Sequence, residues 1–517
     1  MNYPVWDVAF GAGLLMAVVS ILHVFVSHFA VGGGLFLVVT ERKARREGDV
    51  QLLEWLKFHT RFFVLLTVVF GAVSGVGIWF TIALIDPTAT GNLIHAFVWG
   101  WAIEWVFFFL EITAALLYLY GWDKLEPRLH MWYGWIYFGA AFASMVIING
   151  IVTFMLTPGR WVTTHAFWTG FFNPTYLPSL AVRFAVALAL AGIYAVLTAS
   201  VQKDGGLKAR LAKWSGGWML PALAVLPGLM WWYGRSIPAE AWNSVRGPMP
   251  TATRFGELAA IMGGVTFVLA VAALVKPAKL GLARSLPLVV AALLAMGSFE
   301  FVREAVRKPF VIGNYLYANS VYAAPGPEGA PGDGGFTVEN MDRSGVLATA
   351  KWVTPVDIGR EPVRAGAEIF RVECQACHTR AAYRGVKQYL VARQWNREQI
   401  ETMLGSLDVM HNGAMPPFGG TAEERAALAA WLDAVRGPLP PAAAPEGAAV
   451  FQRDCSVCHE VRPDGAAFLC LTALDPESAR EALASLPTLY PRMPDLKLSE
   501  AERAAVVEWV DSRFAKR

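Results

Sequence analysis

From Val8 to about Phe301 the chain is a series of apolar blocks separated by short polar breaks. Blocks of about 20 apolar residues match the hydrocarbon thickness of a bilayer and predict membrane-spanning helices. Eight are expected, at about Val8–Thr40, Phe62–Ile85, Phe97–Tyr120, Met131–Leu156, Pro178–Val201, Trp214–Tyr233, Phe255–Val275 and Leu282–Val302. The first is too long for the apolar core of a signal peptide and has no basic residue before it, so it reads as a membrane helix, not a cleaved leader. Beyond Gly326 charged residues recur every few positions and no block approaches membrane length. The pattern predicts an all-α protein in two parts, a polytopic helical bundle followed by a water-exposed region.

Composition agrees. Of 517 residues 55% are hydrophobic and only 16% charged, too apolar for a soluble chain of this size. A net charge of +3 excludes any strong electrostatic case for a nucleic-acid partner. Lysine and arginine collect in alternate breaks, "ERKARREGD", "GWDKLEPRLH", "VQKDGGLKARLAKW" and "KPAKLGLAR", which the positive-inside rule places in the cytoplasm. With eight crossings the N-terminus and the C-terminal region then lie outside the cytoplasmic membrane of a bacterium.

All five cysteines lie in the C-terminal region. Four form Cys-x-x-Cys-His in "RVECQACHTR" and "RDCSVCHE", a spacing that captures the two vinyl groups of a porphyrin and leaves the histidine facing the iron. Zinc is the competing reading, but a zinc ribbon needs its pairs about 15–20 residues apart, and these two motifs are far more widely separated. Two covalent haems c are expected, held by Cys374 and Cys377 with His378 on the iron, and by Cys455 and Cys458 with His459 on the iron. Met415 in "GAMPPFGG" and Met493 in "PRMPDL" sit on Pro-flanked loops downstream and are the expected second ligands, with Met410 and His411 as rivals at the first haem. Cys470 is left over and reads as an unpaired thiol. Each unit repeats one plan, a short helix ending in the motif, loops, a methionine and a final amphipathic helix. The plan resembles two class I cytochrome c folds in tandem. The expected division is a membrane domain at 1–322, a Pro/Gly-rich tether at 323–335, and cytochrome units at 336–437 and 438–517.

Inside the membrane part, Glu104 and Glu111 lie two turns apart on one face of an apolar, aromatic helix. Each costs about 2.5–3.5 kcal/mol at the bilayer centre, so metal ligation or proton delivery is weighed against a merely structural pair. His23 and His28 on the first block are about 140° apart and do not share one face or one iron.

The stretch "AIEWVFFFLEITAALLYLYGWDKL" resembles the third helix of the large, haem-bearing subunit of cytochrome bd quinol oxidases, and "EAVRKPFVIGNYLY" is similar to the outer end of that family's eighth helix. The resemblance covers roughly Met1 to Asn319. It implies that His23 ligates one high-spin haem and Glu304 the other, that Glu104 and Glu111 line this dihaem site, and that Arg307 lies near the propionates. The buried cofactors it implies are one or two b-type haems, with haem d as an alternative for one. It also implies a second, small membrane subunit and further complex subunits as partners.

The departures matter as much. Val182 and Gly256 stand near the positions where the family holds its low-spin haem, the outer loop serving quinol is reduced to about Gly234–Thr253, the ninth helix is replaced by the cytochrome region, and Ile112 stands where the family often has a serine beside its second glutamate. The expectation is a bd-like oxidoreductase in which an external cytochrome or other donor feeds the haems c, these feed the His23/Glu304 site, dioxygen is reduced there to water, and Glu104 and Glu111 handle protons. The alternative is an electron-conduit subunit without oxygen chemistry.

Thioether bonds survive denaturation. Replacing Cys374 and Cys377 by alanine should therefore remove about half of the haem stain retained on denaturing electrophoresis. An undiminished stain would mean that this motif is not an attachment site.

Overall fold

The computed structural model describes residues 5–239, 241–242, 250–324, 336–350, 352–410, 413–438, 446–456, 474–490 and 493–514. The membrane part is built from long helices: α1 (Ala12–Glu47), α2 (Val50–Ile85), α3 (Val98–Gly121), α4 (Pro127–Leu156), α5 (Tyr176–Ser200), α6 (Gly205–Arg235), α7 (Pro250–Leu274) and α8 (Leu282–Ala305). Seven of them are long and apolar enough to cross a bilayer. The eighth expected crossing, α6, has 31 residues but opens with Lys208, Arg210 and Lys213 and carries Pro221 and Pro227 inside it. It packs along α5 and α7, so its place in the bundle rests on neighbours more than on apolarity.

Several boundaries differ from the sequence expectation, α6 starting at Gly205 where Trp214 was expected and α7 at Pro250 where Phe255 was, and two have a visible local cause. Helix α1 continues past Thr40 because "ERKARRE" is itself a good helix former, laced by Lys43–Glu47 and Arg45–Glu41 pairs and closed by a left-handed Gly48. Helix α2 begins at Val50, well before Phe62, with Asp49 capping the amide of Leu52. It is interrupted by one π-helical turn at Leu65–Phe70, which shifts the register of everything after it.

The helices alternate in direction, and their breaks collect at two ends. At one end Arg210 pairs with Asp49 at 2.6 Å, Lys57 with Asp123 at 2.8 Å, and Lys208 reaches the Leu280 carbonyl. This is the basic end. At the other, a hairpin of β1 (Phe310–Ile312) and β2 (Leu316–Tyr317) follows α8 and buries Val311 and Ile312 against Phe97, Phe154 and Trp161.

The cytochrome region stands on that second end. Its expected tether is stitched at both sides: the Tyr322 amide bonds the Phe336 carbonyl at 3.0 Å, and Val321, Met341, Val346 and Val372 form one apolar seam. Gly11, at the head of α1, faces Thr379 and Tyr383 just past the first motif. Asn319 donates to Glu373, the residue before Cys374, at 2.9 Å. Burial pushes that carboxyl up to about 8, so the seam is uncharged at neutral pH.

The two cytochrome units share one scaffold at matching offsets. In the first, α9 (Pro362–Glu373) crosses α10 (Ala422–Arg436), with Gly366 against Ala427 and Phe370 on Trp431 at 4.5 Å. In the second, α11 (Gly447–Val450) runs into a π turn at Phe451–Cys455 and crosses α12 (Glu500–Phe514), with Gly447 against Ala505 and Phe451 on Trp509 at 5.2 Å. The final helix of the first unit opens with a Thr421/Glu424 capping box, and Ser499 and Glu502 make the same reciprocal bonds in the second. The units are joined by Arg393, which donates to the Gln452 and Arg453 carbonyls, and by Trp395, whose Nε1 donates to Asp454 at 3.0 Å.

A methyl group on Gly366 would lie inside the Ala427 carbonyl. Gly366→Ala should destabilise the first unit by roughly 1–3 kcal/mol through overpacking, and Gly447→Ala the second by a similar amount. Thermal melts followed at the haem c absorbance check this; an unchanged midpoint in both would show that the crossings are loose.

Candidate haem and proton site

Helices α3 and α4 run antiparallel, and their register pairs two carboxylates with two donors. Ser144 donates to Glu104 at 3.1 Å and Tyr137 donates to Glu111 at 3.1 Å. The donors are seven residues apart, as the glutamates are, so each rung of the ladder repeats after two turns. Ile112 contributes nothing to it; the Tyr137 hydroxyl is the donor at Glu111. Tyr137 fits because Gly34 of α1 leaves room for its ring.

His23 faces α2. Its Nδ1 lies 3.1 Å from the Ser74 hydroxyl, and that hydroxyl donates to the Phe70 carbonyl at 2.8 Å. Since Ser74 has already spent its hydrogen, His23 is the donor in the first bond. Its Nε2 lone pair is thereby free to bind a metal. Gly75 lets the imidazole ring come this close. The π turn sits directly before Ser74 and sets this register.

Glu304, at the end of α8, accepts from Arg307, which is nearly buried. The Nε and Nη1 of Arg307 are buried without a hydrogen-bond partner. Two orphaned guanidinium donors call for an anion, and a haem propionate has the matching charge and geometry. Residues and group fit: His23 and Glu304 would hold iron, and Arg307 a propionate. Among the described residues no three His, Cys, Asp or Glu converge as a metal cage.

His28 is a different kind of residue. Its Nδ1 bonds the Val24 carbonyl at 2.8 Å within α1, and it lies in Coulombic reach of Arg183 on α5 and Glu300 on α8. Glu300 and Arg303 form a 2.7 Å ion pair beside it. The positions where the resembling family holds its low-spin haem are ordinary packing here: Val182 is buried on α5, and Gly256 lies on α7 under Val302.

In the first cytochrome unit Cys374 caps α9, and the Cys377 and His378 amides bond the Cys374 carbonyl at 3.1 and 2.8 Å. The His378 Nδ1 lies 3.1 Å from the Arg384 carbonyl, an acceptor only, so Nδ1 carries the hydrogen and Nε2 is the nitrogen that would ligate an iron. Met410 and Met415 both pack in the apolar cluster that holds Cys374. Either fits as the thioether ligand, and His411 lies outside the described residues. In the second unit Cys455 and Met493 share one cluster, while Cys458, His459 and Cys470 lie outside the described residues.

Sequence reasoning named the two glutamates and the motifs, and Arg307 through the resemblance. It missed Ser74, Ser144 and Tyr137. The signal for the last two was present as a second seven-residue spacing, in the fourth apolar block.

Residues 12–234 match the family model of cytochrome bd terminal oxidase subunit I. Residues 361–432 and 442–510 each match that of cytochrome c oxidase, cbb3-type, subunit III. Glu304 and Arg307 lie beyond the first match, so their roles rest on their own surroundings. The bd oxidase from Geobacillus thermodenitrificans has a similar fold, with a TM-score of 0.51 and 15% identity, covering 60% of this chain and 89% of that one. No curated protein matches the chain. The chain thus joins a membrane region like subunit I of the cytochrome bd oxidases to a C-terminal pair of units like the cytochrome c of cbb3-type oxidase subunit III, and it is a haem-bearing membrane oxidoreductase.

Proposed function

We propose that this protein is a terminal oxidase in which electrons entering at the two haems c pass to a buried dihaem site and reduce dioxygen to water. The observation that carries the reading is the pair of orphaned donors on Arg307, Nε and Nη1, left over after Nη2 pairs with Glu304. His23 supports it from the other side, with Nδ1 held by Ser74 and Nε2 available.

When bound, the buried haems would supply electrons and an open coordination position for dioxygen. The chain's own groups do the rest. Arg307 would bind a propionate and, with Glu304, would hold the porphyrin at the end of the bundle that carries the cytochrome units. Reduction of dioxygen to water consumes one proton for every electron, and Glu111 and Glu104 are the groups that hold them, each on its α4 hydroxyl. The Asn319–Glu373 contact and the Gly11–Thr379 contact place the first motif against the same end, which shortens the path between haem c and the buried site. The stretch from about Gly234 to Thr253 leaves little chain for a quinol loop, so the donor is a cytochrome or another external carrier, on the periplasmic side of a bacterial inner membrane. A small second membrane subunit would cover the exposed apolar faces of α2 and α3, where Phe80, Trp99 and Trp105 are uncovered.

An electron conduit would need two strong ligands on each iron. His28 is the candidate for a second imidazole, but its Nδ1 is already bonded to the Val24 carbonyl and it neighbours the Arg183 and Glu300 charges on α5 and α8, whereas His23 addresses Ser74 on α2. That favours an open position.

Carbon monoxide added to the dithionite-reduced protein tests this. A shift in bands of haem b or d is expected, and it should be lost in His23→Ala or Glu304→Ala. A response confined to the c bands would leave the conduit.

A further inference from the structure

The two cytochrome units are docked by one device, and it sits at the same place in each. The residue just before the first cysteine of each motif is a buried acid, Glu373 before Cys374 and Asp454 before Cys455. A buried carboxyl needs a donor, and each of these takes one from the next part of the chain. Trp395 of the first unit donates its Nε1 hydrogen to Asp454 at 3.0 Å. Asn319, just past β2 of the membrane part, donates from Nδ2 to Glu373 at 2.9 Å. The Val321 amide donates to the Asn319 Oδ1, which turns the Nδ2 of that side chain toward the acid. The second unit is thus bonded to the first, and the first to the bundle, each through the residue beside a haem attachment point.

The bonds continue on either side of these contacts. Behind Asn319 the Ala318 amide donates to the Pro309 carbonyl at 2.9 Å, which extends the β1–β2 hairpin by one rung. Pro309 is two residues from Arg307, whose Nε and Nη1 are the donors left for a propionate. At the other junction Trp395 belongs to the apolar cluster that holds Cys374, Met410 and Met415. Arg393 lies 5.8 Å over its ring and donates to the Gln452 and Arg453 carbonyls and the Ser456 hydroxyl, so the turn that leads into Cys455 is held against Trp395.

We propose that electrons run in one order, from the second haem c through Asp454 and Trp395 to the first, and from the first through Glu373, Asn319 and the Ala318–Pro309 bond to Arg307 and the buried site. Electronic coupling falls less steeply along covalent and hydrogen bonds than across a gap. Each first cysteine is bonded to its porphyrin once the haem is attached, so the acid beside it is one residue from the haem and also touches the next unit. In each step one iron is oxidised and the next is reduced by one electron, and an external one-electron donor refills the second haem. No bond is made or broken at the four bridging side chains and no proton moves. The second unit is the point of entry, and the first is the point of exit.

This rests on the reading of the two motifs as haem c sites and of Glu304 and Arg307 as a haem site, and it needs no oxygen. The full chain, reconstituted in lipid, is reduced by a laser flash on a soluble ruthenium photoreductant, and absorbance is followed in the c bands and in the b or d bands. The two haems c are told apart with a Cys455→Ala, Cys458→Ala chain, which should pass electrons from its one haem c to the buried bands at the wild-type rate. Asn319→Leu, which keeps the size and removes the donor, should slow arrival in the buried bands threefold or more and leave exchange between the haems c unchanged. Glu373→Gln, whose amide oxygen still accepts from Asn319, should keep the rate. Trp395→Phe should slow exchange between the haems c and spare the step into the bundle. Met341→Ala loosens the apolar seam but keeps every bond of the route, so it should lower the melting midpoint with no change of rate. A purely mechanical docking would make the rate follow the melting midpoint, with Met341→Ala as slow as Asn319→Leu. That result, or wild-type rates in both Asn319→Leu and Trp395→Phe, would overturn the proposal, and the absence of any b or d band would overturn its second step. Failure of the carbon monoxide test alone would remove the oxygen chemistry and leave this route standing.

Discussion

A carboxyl group in a low-dielectric interior needs a hydrogen-bond donor, and in this bundle that need sets how α3 and α4 meet. Glu104 and Glu111 are answered by Ser144 and Tyr137, and a slip of one residue between the helices would break both rungs at once. Much of the surrounding packing follows. Gly34 makes room for Tyr137 and Gly134 for Tyr118. The π turn in α2 brings Thr67 to one side of the ladder and Ser74 to His23. The register that satisfies the carboxyls thus also leaves the imidazole with one nitrogen bonded and one free.

The second constraint is the seam between the membrane bundle and the cytochrome units. A Pro/Gly-rich linker by itself implies a loosely held domain. Here its two ends are paired to each other, and Val321, Met341, Val346 and Val372 close over the junction. The uncharged Glu373 carboxyl and Asn319 complete it beside the first haem motif. Arg393 and Trp395 then fix the second unit to the first through the helix that ends in Cys455. Electron transfer depends on distance, and the three parts are held by named contacts, not by chance encounter along a tether.

The sequence disclosed what is local. Apolar block length exposed the membrane helices, and the Cys-x-x-Cys-His spacing exposed the haem c motifs. The paired glutamates were visible because their spacing lies within one helix. Features that depend on register between helices were hidden. Tyr137 and Ser144 read as ordinary members of an apolar block until α3 and α4 were laid side by side. Glu41 read as part of a cytoplasmic break because nothing local shows that α1 continues and turns that side chain inward onto His130. The α2 boundary was hidden for a similar reason: Val50–Phe58 is amphipathic and stands on the basic end, outside the apolar block that announced the helix. The closing of the linker depends on residues far apart in sequence, which composition does not record.

The central claim is that electrons pass through the haems c to a buried site that reduces dioxygen. Its most direct measurement is oxygen consumption by the purified full chain with a one-electron donor that reduces haem c. The account predicts consumption that is abolished by Cys374→Ala with Cys377→Ala and, separately, by Glu304→Ala. No consumption by the wild type, or consumption that persists after the haem c attachment is removed, would contradict it.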